Sequence, residues 1–332
     1  MLKNEQKHIQ ANSSFTVKYS SRDIHSQSEI LDTWNQEYSQ LSKGYFAGSI
    51  YELENNRFRI FQERMNRSVF QKGFVAKNNF GLGVVLKASG KPLMVGQPVN
   101  INDLIIFSGS EGFEFFSPEK FQFAGIEIKD REGKVNTNKI SLHTLLAEKI
   151  GDKANTLSSS ANSIAVFGYN LLCILAYNQK VKKIKKNQNV ESLDKQLIGN
   201  ILDLFYLNAL NETYNEVNHT NYWKIVSNIR ELVISGSESP FSITELGIIL
   251  GLTTRTIQTA CNLTLGISPI NFLRSLRLSK VRKELEISKT VSDAATRWGF
   301  WHFGYFSRDY KEMFGELPSE TWRKYKLKSS RI

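Results

Sequence analysis

The sequence predicts a multidomain α+β protein with a β-rich N-terminal domain and an all-helical C-terminal domain. Short runs rich in Phe, Ile and Val fill residues 45–128, while the apolar spacing becomes helical over residues 139–218. Residues 222–326 then repeat one pattern of paired helices twice. We therefore divide the chain into residues 1–150, 151–218 and 219–332, which suits the 332 residues of the sequence.

The β-rich segment contains the runs FRIFQ, GLGVVLKASG, KPLMVGQPV, DLIIFSGSEGFEFF and FQFAGIEI. Gly, Asn-Asn and Pro separate these runs at intervals of about 8–12 residues, a spacing typical of a β-sandwich or barrel. Gly81 and Gly83 indicate a bend or close strand packing here. A nucleotide-binding loop would need a third glycine and a following helix.

The segment before these strands, residues 28–42, predicts a helix. Its apolar residues fall near one helical face, namely Ile30, Leu31, Trp34, Tyr38 and Leu41. Aromatic residues of the N-terminal part are candidates for lining a pocket, among them Trp34, Phe61, Phe74 and Phe107.

The middle segment predicts three helices, at KISLHTLLAEKI, residues 160–177 and KQLIGNILDLFYLNALNETYNE. Residues 160–177 and 197–214 suit either a homodimer surface or burial against their own barrel, and the pattern favours neither. The lysine cluster KVKKIKKNQN indicates a solvated helix end or loop. The alternative is that these lysines contact phosphates.

The charge of the chain favours a polyanionic partner. Its formal net charge is +11 and its isoelectric point is near 9.4. Residues 221–332 carry 17 of the 43 Lys and Arg residues but only 10 of the 32 Asp and Glu residues, so the C-terminal third is the basic part. The N-terminus has no apolar leader, and the longest apolar run has 14 residues where a membrane span needs about 20. We expect a cytoplasmic protein without a membrane partner.

The sequence offers no constellation for catalysis or metal binding. Cys173 and Cys261 each lie in an apolar helical pattern, which predicts two buried thiols rather than a disulfide or a zinc site. His8, His25 and His143 share no motif. We expect no metal, no cofactor and no enzymatic activity.

The C-terminal third shows clear signals for the beginnings and ends of helices. Ser242 and Glu245 have the spacing of a capping box, Gly251 ends that helix, and Thr253 can cap the next one. We expect Leu246, Ile249 and Leu250 to face inward in the first helix. In the second helix we expect the inward residues Ile257, Ala260 and Cys261.

The same signals for helix beginnings and ends recur 48–49 residues later. Thr290 and Asp293 form the second box, Gly299 ends the helix, and each half closes with Gly-x-x-Pro, as GISP and GELP. We expect Phe306, Tyr310, Met313 and Phe314 to anchor the last long helix, with Trp301 and Tyr305 packed against the neighbouring turn. A short helix, a glycine turn and a second helix with outward polar residues are typical of a helix-turn-helix.

The segment GLTTRTIQTACNLTLGISPINFLRSLRLSKVRKEL, followed by VSDAATRWGFWHFGYFSRDYKEMFGELPSETWRKY, resembles the AraC/XylS family of bacterial transcription regulators. The resemblance covers about residues 240–326. It implies two helix-turn-helix units joined by one rigid helix, here about Pro269 to Glu286, which read successive major-groove segments. More weakly, YFAGSIYELENNRFRIFQERMNRSVFQKG is similar to the cupin-like sensor domains of that family.

The resemblance implies a DNA-binding surface on both units. In the first unit, Arg255, Gln258, Thr259 and Asn262 face outward. The first three of these residues occupy positions that resemble the base-reading ones of the family, and Gln258 suits adenine. Where this chain has Thr259, Cys261 and Asn262, the family often has Arg, a large aromatic residue, and Lys or Arg. The second unit is therefore expected to contribute more of the affinity.

In the second unit, the outward residues are His302, Phe303, Ser307, Arg308 and Lys311. Arg308 suits a guanine or a phosphate, Phe303 suits a thymine methyl, and Ser307 and Lys311 suit phosphates.

The resemblance implies a transcriptional activator that binds double-stranded promoter DNA and contacts RNA polymerase. A small-molecule effector and homodimer formation are further expectations. The alternative is an effector-independent architectural protein that binds DNA with little sequence selectivity.

Overall fold

The computed structural model describes residues 15–55, 57–77, 79–108, 112–129, 155–158, 161–181, 199, 214–215, 221–236 and 241–329. Within these residues the N-terminal part is β-rich and the C-terminal part is helical, which confirms the α+β class. The predicted helix at KISLHTLLAEKI and nearly all of the lysine cluster lie outside the described residues. The predicted helix at KQLIGNILDLFYLNALNETYNE does too, apart from residue 199, which is helical, and Tyr214 and Asn215, which form a short strand where a helix was expected.

Two antiparallel sheets form the N-terminal part. The strands are β1 (Phe15–Ser21), β2 (Trp34–Gln40), β3 (Gly48–Glu54), β4 (Phe58–Met65), β5 (Val69–Val75), β6 (Phe80–Lys87), β7 (Leu93–Met94), β8 (Gln97–Pro98), β9 (Asp103–Ser108), β10 (Phe113–Ser117), β11 (Phe121–Ile128), β12 (Asn155–Ser158) and β13 (Tyr214–Asn215). One sheet has the order β1-β3-β4-β11-β6-β9-β12-β13, and the other has the order β2-β5-β10-β7-β8. The short β12 pairs with β9, so residues 155–158 belong to the N-terminal sheet.

The helix predicted over residues 28–42 is wrong. A short helix α1 spans Ile24–Ser28, and Trp34 already begins β2, which pairs with β5 along its whole length. The five apolar residues are buried as expected. Trp34 and Tyr38 are four apart, which fits one face of a strand as well as one face of a helix. The hydrogen bonds offered by β5 decide between the two structures.

Aromatic rings fill the space between the two sheets. Trp34 lies 5.6 Å from Phe61 and 5.0 Å from Phe107 between ring centroids. They line a cavity of about 20 Å³, room for about one water molecule. Phe74, the fourth pocket candidate, is 43% exposed on the outside. Gly83 lies in β6, where an added Cβ would meet the Phe123 ring at 2.0 Å, so the expectation of close packing is confirmed.

A buried carboxyl group borders this cavity. The Glu63 side chain accepts a hydrogen bond from Gln27 Nε2 at 2.9 Å and a longer one from the Tyr38 hydroxyl at 3.3 Å. Burial raises the pKa of Glu63 to about 7, because the loss of water disfavours the charged form by more than the hydrogen bonds from Gln27 and Tyr38 favour it. Gln27 belongs to α1, so α1 contacts this group directly.

Helix α2 (Ala161–Val181) covers the outer face of the larger sheet. Its buried residues are Ile164, Phe167, Leu171, Ile174 and Leu175. The opposite face exposes Val166, Tyr169 and Tyr177. Cys173 lies on this exposed face, so its predicted burial is wrong, whereas Cys261 is buried as expected and burial raises its pKa to about 12.

The C-terminal part contains α3 (Asn221–Ile234), α4 (Ile243–Leu250), α5 (Thr254–Leu265), α6 (Pro269–Glu284), α7 (Val291–Arg297), α8 (Phe303–Phe314) and α9 (Pro318–Ser329). None of the helices in the described ranges is long and apolar enough to cross a bilayer. Phe70 of β5 stacks on Trp223 of α3 at 5.1 Å and lies 6.5 Å from Phe272 of α6. One apolar core therefore continues from the sheets into the helical part.

Candidate nucleic-acid interface

The helices α4 and α5 form the first helix-turn-helix unit. Ser242 and Glu245 make a complete capping box at the start of α4, and Gly251 follows the helix with a φ of 65°. The turn is tight because the Leu252 amide donates to the Gly247 carbonyl at 2.8 Å. An added Cβ on Gly247 would lie 2.7 Å from the Leu252 carbonyl oxygen, so this position requires glycine.

The second unit, α7 and α8, repeats this construction. Thr290 and Asp293 form the capping box of α7, and Gly299 has a φ of 80°. The Phe300 amide donates to the Ala295 carbonyl at 3.0 Å, as Leu252 does to Gly247 in the first unit. Both boxes and both glycine turns confirm the predicted tandem repeat.

The inward residues of both units agree with the pattern except at two places. Ile257, Ala260 and Cys261 are buried in α5, as are Phe306, Tyr310, Met313 and Phe314 in α8. Ile249 was expected inside but is half exposed, because α4 turns Leu246 and Gly247 toward the core instead.

Trp301 and Tyr305 are the second exception. They are 61% and 65% exposed, so the expectation that they pack against the neighbouring turn is wrong. Phe300 takes that position and lies 5.1 Å from Phe306 between ring centroids.

The predicted DNA-contact residues lie on the solvent-facing sides of two separate helices. On α5, Arg255, Gln258 and Asn262 are exposed and Thr259 is partly exposed. At the start of and along α8, His302, Phe303, Arg308 and Lys311 are exposed, and Ser307 is partly exposed. The structure thus makes these nine side chains available to a partner and groups them by unit. They are the residues Arg255, Gln258, Thr259, Asn262, His302, Phe303, Ser307, Arg308 and Lys311.

Helix α6 fixes the spacing between the units. It spans 16 residues, so its length is about 24 Å, and it ends two residues earlier than expected. Phe272 and Leu276 pack into the first unit, whereas Leu278 and Val281 pack into the second. Because its side chains pack into both units, α6 sets the distance between them.

A cleft of about 490 Å³ separates the two units on one side of α6. Ile270 and Arg274 of α6 border it, together with Trp301 and Tyr305 of the second unit. Arg274 lies 3.5 Å from Asp309 of α8, which places a cation at the edge of this cleft.

Another side of α6, away from the cleft, contacts the N-terminal domain through charged groups. Arg282 is buried and lies 2.6 Å from Asp23, the cap of α1, and 2.8 Å from Glu316. Burial alone would raise the pKa of Asp23, but the guanidinium and nearby N–H donors hold it well below its ordinary range. The Tyr325 hydroxyl of α9 also donates to Asp23, at 3.0 Å.

Further contacts connect the N-terminal domain to α6 and α8. The His25 Nε2 atom lies 2.9 Å from the Ser279 carbonyl oxygen and donates to it, since a carbonyl only accepts. Near the end of α8, Gln40 Nε2 donates to the Met313 carbonyl at 2.7 Å, and the Gly44 amide donates to the same oxygen at 3.0 Å. The second unit is therefore hydrogen-bonded to the loop after β2.

Sequence reasoning missed this interdomain network. Its members are scattered over the chain, and a charged residue such as Arg282 within a helical pattern is indistinguishable from a solvated one. The two exposed rings at the start of α8 were missed because periodicity does not show how far a helix end projects.

No group of His, Cys, Asp and Glu residues within the described part of the chain is arranged to hold a metal ion. The nine side chains on the two helix faces offer guanidinium, ammonium, amide, hydroxyl, imidazole and aromatic groups. These groups bind phosphates and base edges.

Comparison with known proteins agrees with this geometry. Residues 246–324 match the family model described as a helix-turn-helix domain. The "Probable thc operon regulatory protein" of Rhodococcus erythropolis is 34% identical over 91 residues, which are 26% of this chain and 27% of that protein. The "XylDLEGF operon transcriptional activator 3" of Pseudomonas putida is 27% identical over 132 residues, 39% of this chain and 38% of the relative.

Among solved structures, a probable AraC family transcriptional regulator from Rhodopseudomonas palustris is 33% identical, with a TM-score of 0.29. The match covers 31% of this chain and 97% of the Rhodopseudomonas palustris chain. The chain spans between about a quarter and two fifths of the length of the two curated relatives described above. Residues 246–324 of this chain are therefore a helix-turn-helix domain, and the curated relatives that match this part of the chain are an operon regulatory protein and an operon transcriptional activator.

Proposed function

We propose that this protein is a sequence-specific transcription regulator, and an activator, that binds double-stranded promoter DNA through both helix-turn-helix units. The observation that carries this proposal is the pair of exposed polar faces on α5 and α8, held at a fixed distance by α6. Successive major-groove segments on one face of DNA lie about 34 Å apart. A rigid helix of about 24 Å between two units is compatible with that spacing, and some bending of the DNA would improve it.

In this proposal, some of the nine residues contact base edges and the others contact the phosphate backbone of the DNA. Gln258 reads adenine and Arg308 reads guanine or grips a phosphate, since both side chains can form paired hydrogen bonds. Lys311 and Ser307 hold phosphates. On the first unit, Arg255 contacts base edges beside Gln258. Thr259 and Asn262 make shorter polar contacts. The second unit therefore supplies more of the affinity.

The N-terminal domain acts as the regulatory part in this proposal. Its α1 contacts α6 through Asp23 and His25, so a change within the sheets reaches the helix that spaces the two units. A small organic effector would act through this connection. The exposed face of α2, with Val166 and Tyr169, is the surface we propose for a homodimer. RNA polymerase is the second macromolecular partner, the location is the cytoplasm, and no enzymatic step is involved.

The test begins with selection from random duplex DNA, followed by affinity measurements at several salt concentrations. We expect a motif of two blocks about one helical turn apart, bound at least about 10³-fold more tightly than scrambled DNA. Preference for no sequence would contradict the proposal and favour the architectural alternative.

Point variants then assign the contacts. Arg308→Ala should weaken specific binding by about 1–3 kcal/mol, and Lys311→Ala should weaken all sequences equally and lower the salt dependence by about one unit. Arg323→Ala removes a positive charge from the exposed surface of α9 and serves as the matched control. An Arg308 variant that behaves like the Arg323 variant would remove Arg308 from the interface.

A further inference from the structure

Three aromatic side chains project from the beginning of α8 into solvent. Trp301 is 61% exposed, Phe303 is 45% exposed and Tyr305 is 65% exposed. They are consecutive odd-numbered residues around the first turn of the helix. A single exposed ring is ordinary, but three adjacent rings on one short segment indicate an interaction surface.

The three rings lie outside the apolar core of the second unit. Its core is made by Phe306 and Tyr310, which lie 5.7 Å apart between ring centroids, and Phe300 closes the core beside them. The ring of Trp301 could therefore be removed without opening a cavity. A role outside the folded chain explains why such costly apolar groups remain in water.

The rings surround a recess with an apolar wall and a cationic edge. Gly304 also borders this recess, and an added Cβ there would meet nothing within 4 Å. The open space is about 550 Å³, bordered by the three rings together with His302 and Arg308. The Arg308 guanidinium lies over the Tyr305 ring at 5.1 Å from its centroid, which orients the cation along the recess.

The electrostatics of this recess favour a polyanion. Arg308 and Lys311 lie on the same side of α8, and the amino end of this 12-residue helix carries partial positive charge. DNA offers both a phosphate backbone for the cations and an apolar group for the rings. That apolar group is the C5 methyl of thymine, the aliphatic feature of the major groove.

We propose that Trp301 and Phe303 bind the C5 methyl groups of thymines, so that the second unit recognises a thymine-containing step through apolar contact. Tyr305 positions the Arg308 guanidinium for the adjacent phosphate or base, and Gly304 allows the helix to approach the base edge closely. This inference rests on the proposed DNA binding and adds the chemical feature that the second unit selects.

The test uses the selected duplex with single thymines replaced by uracil, which removes only the C5 methyl group. The block read by α5 is identified as the one whose base preference changes in Gln258→Ala, and α8 reads the remaining block. Within that block, we expect uracil at one or two positions to weaken binding about three- to fivefold each, the value of one buried methyl group. Uracil in the other block should have no such effect through these rings.

Variants connect the effect to the two side chains. Trp301→Ala and Phe303→Ala should each weaken binding to the thymine duplex and reduce the thymine-to-uracil ratio toward one at a single position. Ile287→Ala removes a 73% exposed apolar side chain from the loop between α6 and α7, and it should keep the full ratio. Thermal unfolding of all three variants should match that of the parent, since none of these side chains is buried.

Equal affinity for thymine and uracil throughout the α8 block would overturn this inference. The proposed function would still hold in that case if Arg308→Ala weakens binding to the selected duplex. Unchanged thymine-to-uracil ratios in both ring variants would overturn it as well. If selection yields no motif, the proposed function fails and this inference fails with it.

Discussion

Replacing Glu63 with glutamine should stabilise the protein at alkaline pH and leave it nearly unchanged at acidic pH. Glu63 is buried beside an aromatic cavity, and its pKa is raised from 4.5 to about 7. Between those values the unfolded chain has released this proton while the folded chain still holds it. Stability is therefore lost as pH rises from about 4.5 to about 7.

The magnitude follows from the shift. One pKa unit corresponds to about 1.4 kcal/mol, so the full penalty above pH 7 is on the order of 3 kcal/mol. Between pH 5 and pH 8 the parent should lose about 2–3 kcal/mol that Glu63→Gln does not lose. The glutamine carbonyl can still accept from Gln27 Nε2, so the variant keeps the hydrogen bond of 2.9 Å.

The assay is urea unfolding followed by tryptophan fluorescence, with both proteins measured at pH 5 and pH 8. Titration of every other group is common to both proteins and cancels in the difference between their unfolding free energies. Glu119→Gln, which changes a carboxylate that is 40% exposed, controls for the loss of one charge. If the difference between parent and Glu63→Gln is the same at both pH values, Glu63 does not titrate as the structure implies.

Three further substitutions test the packing. Arg282→Met leaves two carboxylates without their buried partner and should cost about 3–5 kcal/mol, seen as a lower melting temperature; an unchanged one would contradict the ion-pair network. Gly83→Ala forces the Phe123 ring to move and should cost about 1–3 kcal/mol in urea unfolding, whereas full stability would mean that the ring relaxes freely. Thr290→Ala removes the cap of α7 and should cost about 1 kcal/mol by the same measurement, a cost that retained stability would disprove.

The helical third could be predicted from sequence because its signals are local. Ser242 and Thr290 cap helices through bonds that span three residues, and Gly251 and Gly299 end them through their own backbone conformation. No distant residue is needed to recognise either feature. The outward positions on α5 and α8 followed from the same periodicity.

Other features depend on partners that are far away in the chain. The segment containing Trp34 and Tyr38 becomes a strand only because β5 pairs with it, and a spacing of four residues does not reveal that pairing. The burial of Arg282 depends on Asp23, which lies 259 positions away. Trp301 is exposed while the neighbouring Phe300 packs against Phe306, and the sequence pattern does not show which of the two rings enters the core.

The continuous core between the sheets and the helices limits how the domains of such a protein can be exchanged. Phe70 contacts both Trp223 and Phe272, and Arg282 needs the carboxylate of Asp23. A chimera joined between α2 and α3 would place a foreign domain against these groups and leave a buried guanidinium without one of its two carboxylates. Exchange of the N-terminal domain therefore requires compensating substitutions on α3 and α6. Substitutions in one domain at this interface thus constrain which substitutions the other domain tolerates.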